Sequence, residues 1–311
     1  VFMSGNVYRY LDTLITAGSF SKAARVLQIS QPSISQFVHR LETEVGTELV
    51  DRTAKPLRLT YAGECFMRTE REIEQLRSMR SRLIADIDEG VRGHVTIGSS
   101  HYRSTFFLAE VLPIFRREYP GVTVSLAEGT TKELEDFAFD GVTDLSLVIA
   151  PLYRDELEYA ELFRERYLLA MSPEARVAKT VPQPASGGYA SMPFNRLNGE
   201  PFITIKQGQK FRNLYEDLCR ATRTTPRVML ESESPVAALH LASAGLGATF
   251  VTQTLAKRCR PAQPVRYFTI EPARPDRMVV AAYRKNGYLT KAARSLIEVM
   301  RRVAETEFAD G

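Results

Sequence analysis

The sequence predicts an α/β protein with an N-terminal helical unit, a long linker helix and a C-terminal domain of alternating strands and helices. Three observations predict this. Short segments of helical periodicity fill residues 7–45. A long helical pattern follows from Thr60 to Gly90. From Gly93 onward strands alternate with helices, the signature of layered α/β folds with right-handed crossovers. The 311 residues are 44% hydrophobic and 25% charged, which leaves apolar material for more than one core. The formal net charge of +4 decides little, because a basic patch can sit on an otherwise neutral protein.

Val7, Leu11, Leu14 and Ile15 share one helical face, and this first helix ends near Gly18. Ser19 reads as the N-cap of a short helix, FSKAARVL, in which Ala23, Ala24 and Leu27 permit close packing. After a QIS turn, Ser30 caps QPSISQFVHRLETEV, with Pro32 in the first turn, where its missing N–H costs nothing. Ile34, Phe37, Val38, Leu41 and Val45 form its inner stripe, and Gly46 closes it. Gln31, Ser33, Ser35, Gln36, His39 and Arg40 form the outer face. Gln suits adenine, and Ser suits several base edges. Two readings fit: a helix-turn-helix, or a helical hairpin with a solvated polar face. LVDRTAKPLRLT reads as a two-stranded wing carrying Arg52, Lys55 and Arg58, cations suited to phosphates.

In the linker, Ala62, Phe66, Thr69, Ile73, Leu76, Arg80, Leu83 and Ile87 are spaced alternately four and three apart, as in a coiled-coil seam. The helix either packs on its own domain or pairs with a second copy. Its length and its place after the helical unit favour pairing. Beyond it, HVTIGS, VTVSLAEG, DLSLVIA, RYLLAMS, PFITI, RVMLES and ATFVT read as strands. Residues 104–120, 131–141, 212–221, 235–244 and 291–307 read as helices. The Pro/Gly/Ser-rich residues 177–199 read as a surface loop.

Ligands of open α/β sheets bind beyond the carboxyl ends of strands. The first strand ends in Ser99, Ser100 and His101, and the second leads into Thr130 and Thr131 at a helix start. Hydroxyls beside free helix N–H groups suit a carboxylate, although Ser100 and Thr131 would serve equally as plain helix caps. Thr204 and Lys206 follow PFI on the facing side. His101 and Arg103 could supply charge there, with a surface role favoured for Arg103.

Other function classes find little support. Cys65, Cys219 and Cys259 form no CxxC, and four histidines form no ligand cluster, so no metal site is expected. No nucleophile elbow, Walker loop or strand-following GxGxxG occurs, so no cofactor and no catalytic residue are expected. Glu231 and Glu233 share a strand face, yet nothing marks them as an acid/base pair. VFMSGNVYRY is not a signal peptide, and no run of apolar residues spans a membrane, so a cytoplasmic protein without membrane contact is expected.

The run AGSFSKAARVLQISQPSISQFVHRLETEVGTELVDRTAKPLRLTYAGE resembles the DNA-binding domain of LysR-type transcriptional regulators. GSFSKAA, SQPSIS, RLE-x-E-x-G-x-x-L, DRT and LRLT-x-AGE occur in the family's order. YPGVTVSLAEGTTKEL and LASAGLGATFV extend the resemblance over nearly the whole chain. It implies a winged helix-turn-helix over residues 1–60 and a dimerising linker helix over 61–90. The effector domain implied over 91–311 has two α/β subdomains like those of periplasmic binding proteins: about 91–160 with 270–311, and about 161–269. Base-reading positions fall on Gln31, Pro32, Ser33, Ser35 and Gln36, and phosphate contacts on Arg40, Arg52 and Lys55. Many members carry Arg where this chain has Gln36, which shifts the expected contact from guanine toward adenine. The resemblance further implies double-stranded DNA as partner and small effectors, carboxylates among them, near Ser99, Ser100, His101, Thr130, Thr131, Thr204 and Lys206. It also implies homodimers through the linker that associate into homotetramers. A small-molecule binding module without DNA readout is the alternative.

Overall fold

A computed structural model describes residues 7–86, 91–184 and 187–308. The chain divides into two compact units, Val1–Ile84 and Ala85–Gly311.

In the first unit, α1 (Val7–Ala17), α2 (Phe20–Leu27) and α3 (Gln31–Val45) precede a two-stranded antiparallel wing, β1 (Val50–Asp51) and β2 (Arg58–Leu59). The caps lie where the sequence puts them. Ser19 Oγ accepts the Lys22 N–H, Ser30 Oγ accepts the Ser33 N–H, and Gly46 closes α3 at φ 81°. Leu11, Leu14, Ile34, Val38 and Leu49 are wholly buried in a shared core. Val45 departs from its expected place and is 40% exposed. Glu42 is buried on that side instead. Its Oε1 accepts the N–H groups of Leu49 (3.0 Å) and Val50 (3.2 Å), and its Oε2 accepts Arg52 Nη2 (2.7 Å). The wing is thus fastened to α3 by one carboxylate.

Helix α4 (Tyr61–Ala85) is the linker. Its first turns pack on their own unit: Met67 is buried in that core, with Ala62 and Phe66 against it. A Cβ at Gly63 would lie 2.0 Å from the Leu49 carbonyl oxygen, so only glycine allows this approach. Further along the helix, Leu76 (63%), Leu83 (38%) and Ile84 (61%) are exposed. Ile87, the last expected seam position, and the helix end expected at Gly90 fall outside the described residues.

The second unit holds two main sheets. In the first, β3 (Gly93–Ser99), β4 (Val122–Glu128), β5 (Leu145–Ala150), β6 (Leu157–Glu165) and β13 (Arg277–Arg284) run in the order β4-β3-β5-β13-β6. β3 is parallel to β4 and β5, and β13 is antiparallel to both of its neighbours. A helical stretch follows β3: α5 (His101–Arg103), a π-helical turn (Ser104–Leu108) and α6 (Ala109–Glu118). Helix α7 (Thr131–Asp140) follows β4, and α12 (Lys291–Glu307) closes the chain onto this core.

The second sheet joins β7 (Tyr167–Met171), β8 (Ala190–Pro193), β11 (Thr249–Thr252) and β12 (Arg266–Glu271) in the order β11-β7-β12-β8. The parallel pair β9 (Pro201–Ile205) and β10 (Arg227–Ser232) is tied to this region by the Ile203 N–H to Ala248 carbonyl bond. The helices here are α8 (Arg176–Lys179), α9 (Lys210–Thr222), α10 (Pro235–Ser243) and α11 (Gln253–Arg258).

Two expectations change. Residues 177–199 are not a surface loop throughout: Val177, Ala178, Ala190, Met192, Phe194 and Leu197 are buried, and β8 forms an edge of the second sheet. Pro193 is tolerated there because an edge strand has ladder partners on one side only. The chain leaves the first sheet after Glu165 and re-enters it at Arg277, somewhat beyond the expected crossovers near Tyr159 and Ile270. β6 and β13 account for the shift, since they carry the crossovers to Glu165 and Arg277.

Candidate functional site

The outward face of α3 presents Gln31, Pro32, Ser33, Gln36 and Arg40 as exposed residues, with Ser35 partly buried. The Ser33 hydroxyl lies 2.6 Å from that of Ser30, inside the cap. Arg40 Nε donates to the Gln36 carbonyl at 3.4 Å. Lys55 is exposed on the wing, whereas Arg52 is only 45% exposed because Glu42 holds it. The face therefore offers amide, hydroxyl and guanidinium groups along one helix, beside cations on the wing.

The second unit contains a cavity of about 700 Å³ beyond the carboxyl ends of β3, β4, β9 and β10. It is lined from one side by Ser100, His101, Arg103, Thr130 and Thr131, and from the other by Gln209, Lys210, Phe211 and Ser234. The structure thus brings together four of the seven residues expected to contact an effector. Ser99, Thr204 and Lys206 lie outside the lining. Ser99 and Thr204 are buried in their strands, and Lys206 Nζ pairs with Glu233 Oε1 at 2.7 Å. His101 is largely exposed, with Nδ1 2.8 Å from Glu128 Oε2.

The start of α7 is less open than its hydroxyls suggest. Glu133 completes a capping box: its Oε2 accepts both the N–H and the Oγ1–H of Thr130 at 2.8 Å. Those bonds hold the Glu133 carboxyl below the usual range. A carboxylate of the protein itself thus sits at this helix end.

Arg103 is the clearest departure from expectation. Instead of facing solvent it is 5% exposed and lines the cavity. Its Nη1 donates to Ser100 Oγ at 3.4 Å, and its Nε has no hydrogen-bond partner. Arg277, also lining the cavity, donates to Glu165 Oε2 from Nε (2.8 Å) and Nη2 (2.5 Å). The same carboxylate accepts the Tyr102 hydroxyl at 3.2 Å, which lies 2.6 Å from Thr252 Oγ1. Burial raises the Glu165 pKa, but the Arg277 and Arg103 charges and bonds from Thr254 and Arg277 outweigh it, leaving the carboxyl below its ordinary value. Burial, then repulsion from Arg277, brings the Arg103 guanidinium down to about 10. Burial, then the Glu165 charge, pushes the Tyr102 hydroxyl up.

Sequence reading missed Glu165 and Arg277, and favoured the surface for Arg103. One signal was present for Arg103, which stands four and eight residues before Phe107 and Val111 on the buried face of its helical stretch. Among the described residues no group of three or more His, Cys, Asp or Glu could hold a metal ion, and no helix is long and apolar enough to cross a membrane.

A winged helix-turn-helix followed by a long helix and an α/β unit with a cavity at its strand ends defines a DNA-binding protein joined to a ligand-binding domain. Comparison with known proteins agrees. Residues 6–64 match the bacterial regulatory helix-turn-helix protein domain of the lysR family, and residues 88–305 match the LysR substrate binding domain. The chain belongs to the LysR family and is a transcriptional regulator with a helix-turn-helix and an effector-binding domain. It is 28% identical to the helix-turn-helix-type transcriptional regulator YcgK of Bacillus subtilis, over 99% of this chain and 97% of that one. Its fold matches a full-length OxyR variant from Pseudomonas aeruginosa, with 20% identity, TM-score 0.67 and coverage of 94% and 96% of the two chains. It also matches the Synechocystis CcmR regulatory domain in complex with 2-PG, with 19% identity, TM-score 0.61 and coverage of 70% and 99%.

Proposed function

We propose that this regulator reads duplex DNA with α3 and responds to a small anionic effector held in the cavity between its two main sheets. Gln31, Pro32, Ser33, Ser35 and Gln36 face the bases, while Arg40, Arg52 and Lys55 meet phosphates. Ser100, His101, Thr130 and Thr131 contact the effector. Lys206 positions Glu233 at the rim, and Ser99 and Thr204 support the strand ends behind it. The protein works in the cytoplasm as a binding module without catalysis. It pairs through α4 into homodimers, supported by the exposed Leu76, Leu83 and Ile84, and the dimers associate into homotetramers. A dimer calls for a DNA site of approximate dyad symmetry.

The observation that carries the effector reading is the cavity itself. It lies beyond the strand ends of β3 and β4 in the first sheet and of the separate parallel pair β9 and β10, where ligands of open α/β sheets bind, and cations line it. An effector acts only if it binds open and closed arrangements with different affinity.

The test is binding to the intergenic DNA beside the protein's own gene at two salt concentrations, with Gln36→Ala alongside. Tight, salt-sensitive binding that loses sequence preference in the variant is expected. Failure of the wild type to prefer that DNA, or any site selected from a genomic pool, would remove the DNA-reading assignment. The same fragment then serves to screen effectors, charged and neutral, by shifts in affinity.

A further inference from the structure

Three charged side chains meet where the chain passes between the two sheets. Glu165 is the last residue of β6, Arg277 is the first of β13, and Arg103 sits in the helical stretch after β3. All are at most 6% exposed. Arg277 and Glu165 satisfy each other through two hydrogen bonds. Arg103 is left over. Among the described residues it forms no ion pair within 4 Å, and its buried Nε donates to nothing. Two buried guanidiniums against one carboxylate leave an excess positive charge, and a buried charge without a partner is costly. Arg103 also lines the cavity, so the missing partner can arrive from there.

The other obvious anion site in the cavity is already filled. Glu133 supplies its own carboxylate to the Thr130 N–H and hydroxyl at the start of α7. Thr130 and Thr131 therefore offer polar contacts more readily than a place for a second negative charge.

We propose that Arg103 is the anion-binding group of this cavity: a carboxylate or phosphate of the ligand seats at its floor against the Arg103 guanidinium, with the Ser100 hydroxyl beside it. The Arg277–Glu165 pair behind acts as a fixed support, since its own bonds are made without the ligand. The anion completes the charge balance of a cluster that stands at both crossover strands. The proposal rests on the reading of the cavity as the effector site and names the chemistry that site selects.

The test is the melting temperature of the full-length protein in chloride buffer, titrated with acetate and separately with inorganic phosphate. Wild type, Arg103→Met, Arg103→Lys and Arg220→Met are compared. At least one anion is expected to raise the wild-type melting temperature saturably. Acetate favours a planar carboxylate and phosphate a tetrahedral group. Arg103→Met is expected to weaken that response at least about tenfold, as loss of a charge-assisted bond implies. Arg220→Met, which removes an exposed cation outside the cavity lining, is expected to keep it. Without anion, Arg103→Met is expected to melt no lower than wild type, because it removes an uncompensated charge; a purely structural arginine would destabilise when lost. Should Arg103→Met not fold, Arg103→Lys, which keeps the charge but lacks the planar guanidinium fork, carries the comparison and is expected to weaken the response. An equal response in wild type and the Arg103 variants would overturn the proposal. So would a wild type that responds saturably to neither anion. Either outcome leaves the effector reading to the DNA-based screen, which includes neutral compounds.

Discussion

Replacing Glu42 with Ala would remove three interactions from one buried carboxylate. The N–H groups of Leu49 and Val50 lose their acceptor, and Arg52 loses its partner. Leu49 and Val50 are buried at 0% and 1% exposure, so water does not readily replace the carboxylate. An unsatisfied buried N–H costs about 1–3 kcal/mol. The Arg52 arm is 45% exposed and solvent-screened, worth roughly 0–1 kcal/mol. The sum places Glu42→Ala at about 2–7 kcal/mol, with the two backbone groups supplying most of it. Glu42→Gln retains an amide oxygen for the two N–H groups and should cost clearly less. Arg52→Met should cost no more than about 1 kcal/mol. Urea unfolding of the three variants, with hydrogen exchange of the Leu49 and Val50 amides, reads both the total and its location. A loss under about 1 kcal/mol for Glu42→Ala would refute the reasoning. So would an Arg52→Met as damaging as Glu42→Ala, since the backbone acceptor would then not be the dominant contribution.

Two further outcomes follow from particular groups. Leu76→Asp and Leu83→Asp change exposed positions of α4, so folding should be spared while sedimentation shifts toward the monomer; an unchanged oligomer would place the dimer contact elsewhere. Glu165 has a folded pKa below the roughly 4.3 of an unfolded glutamate, so its contribution is present above that pH and is withdrawn as pH falls through the folded value. Glu165→Gln should therefore lower stability at neutral pH and flatten the loss of stability below about pH 4, read from urea midpoints across that range. An acid limb as steep as the wild type's would show that other carboxylates dominate it.

Much of the helical framework was legible in sequence because its signals are local. Ser19, Ser30 and Ser100 each cap the helix whose N–H lies three residues on, and Gly46 closes α3 in a conformation natural to glycine, whereas α7 is capped by Thr130 rather than the expected Thr131. Such bonds form wherever the helix forms, whatever packs around it. The LysR resemblance likewise lay in a contiguous run. Four of the seven expected effector contacts came together because strand ends can be read from the alternation of strands and helices, and ligands gather at them. Thr204 and Lys206 did not join the lining, since which side of a strand end faces a cleft depends on how the opposing sheet is placed.

The tertiary structure alone decided the charged cluster. Glu165 and Arg277 stand 112 residues apart, and only the adjacency of β6 and β13 makes them partners. In β6 burial on one face is diluted by charges on the other, and in β13 Arg277 precedes an apolar run that gives no sign of its partner. Arg103 read as a surface cation because its residue type favours solvent, and only the packed helix after β3 removes it from water. Local hydrogen bonds are fixed by sequence neighbours, and their caps announce them. Burial of a charge is fixed by every element that closes over it, and no short stretch of the chain contains that information.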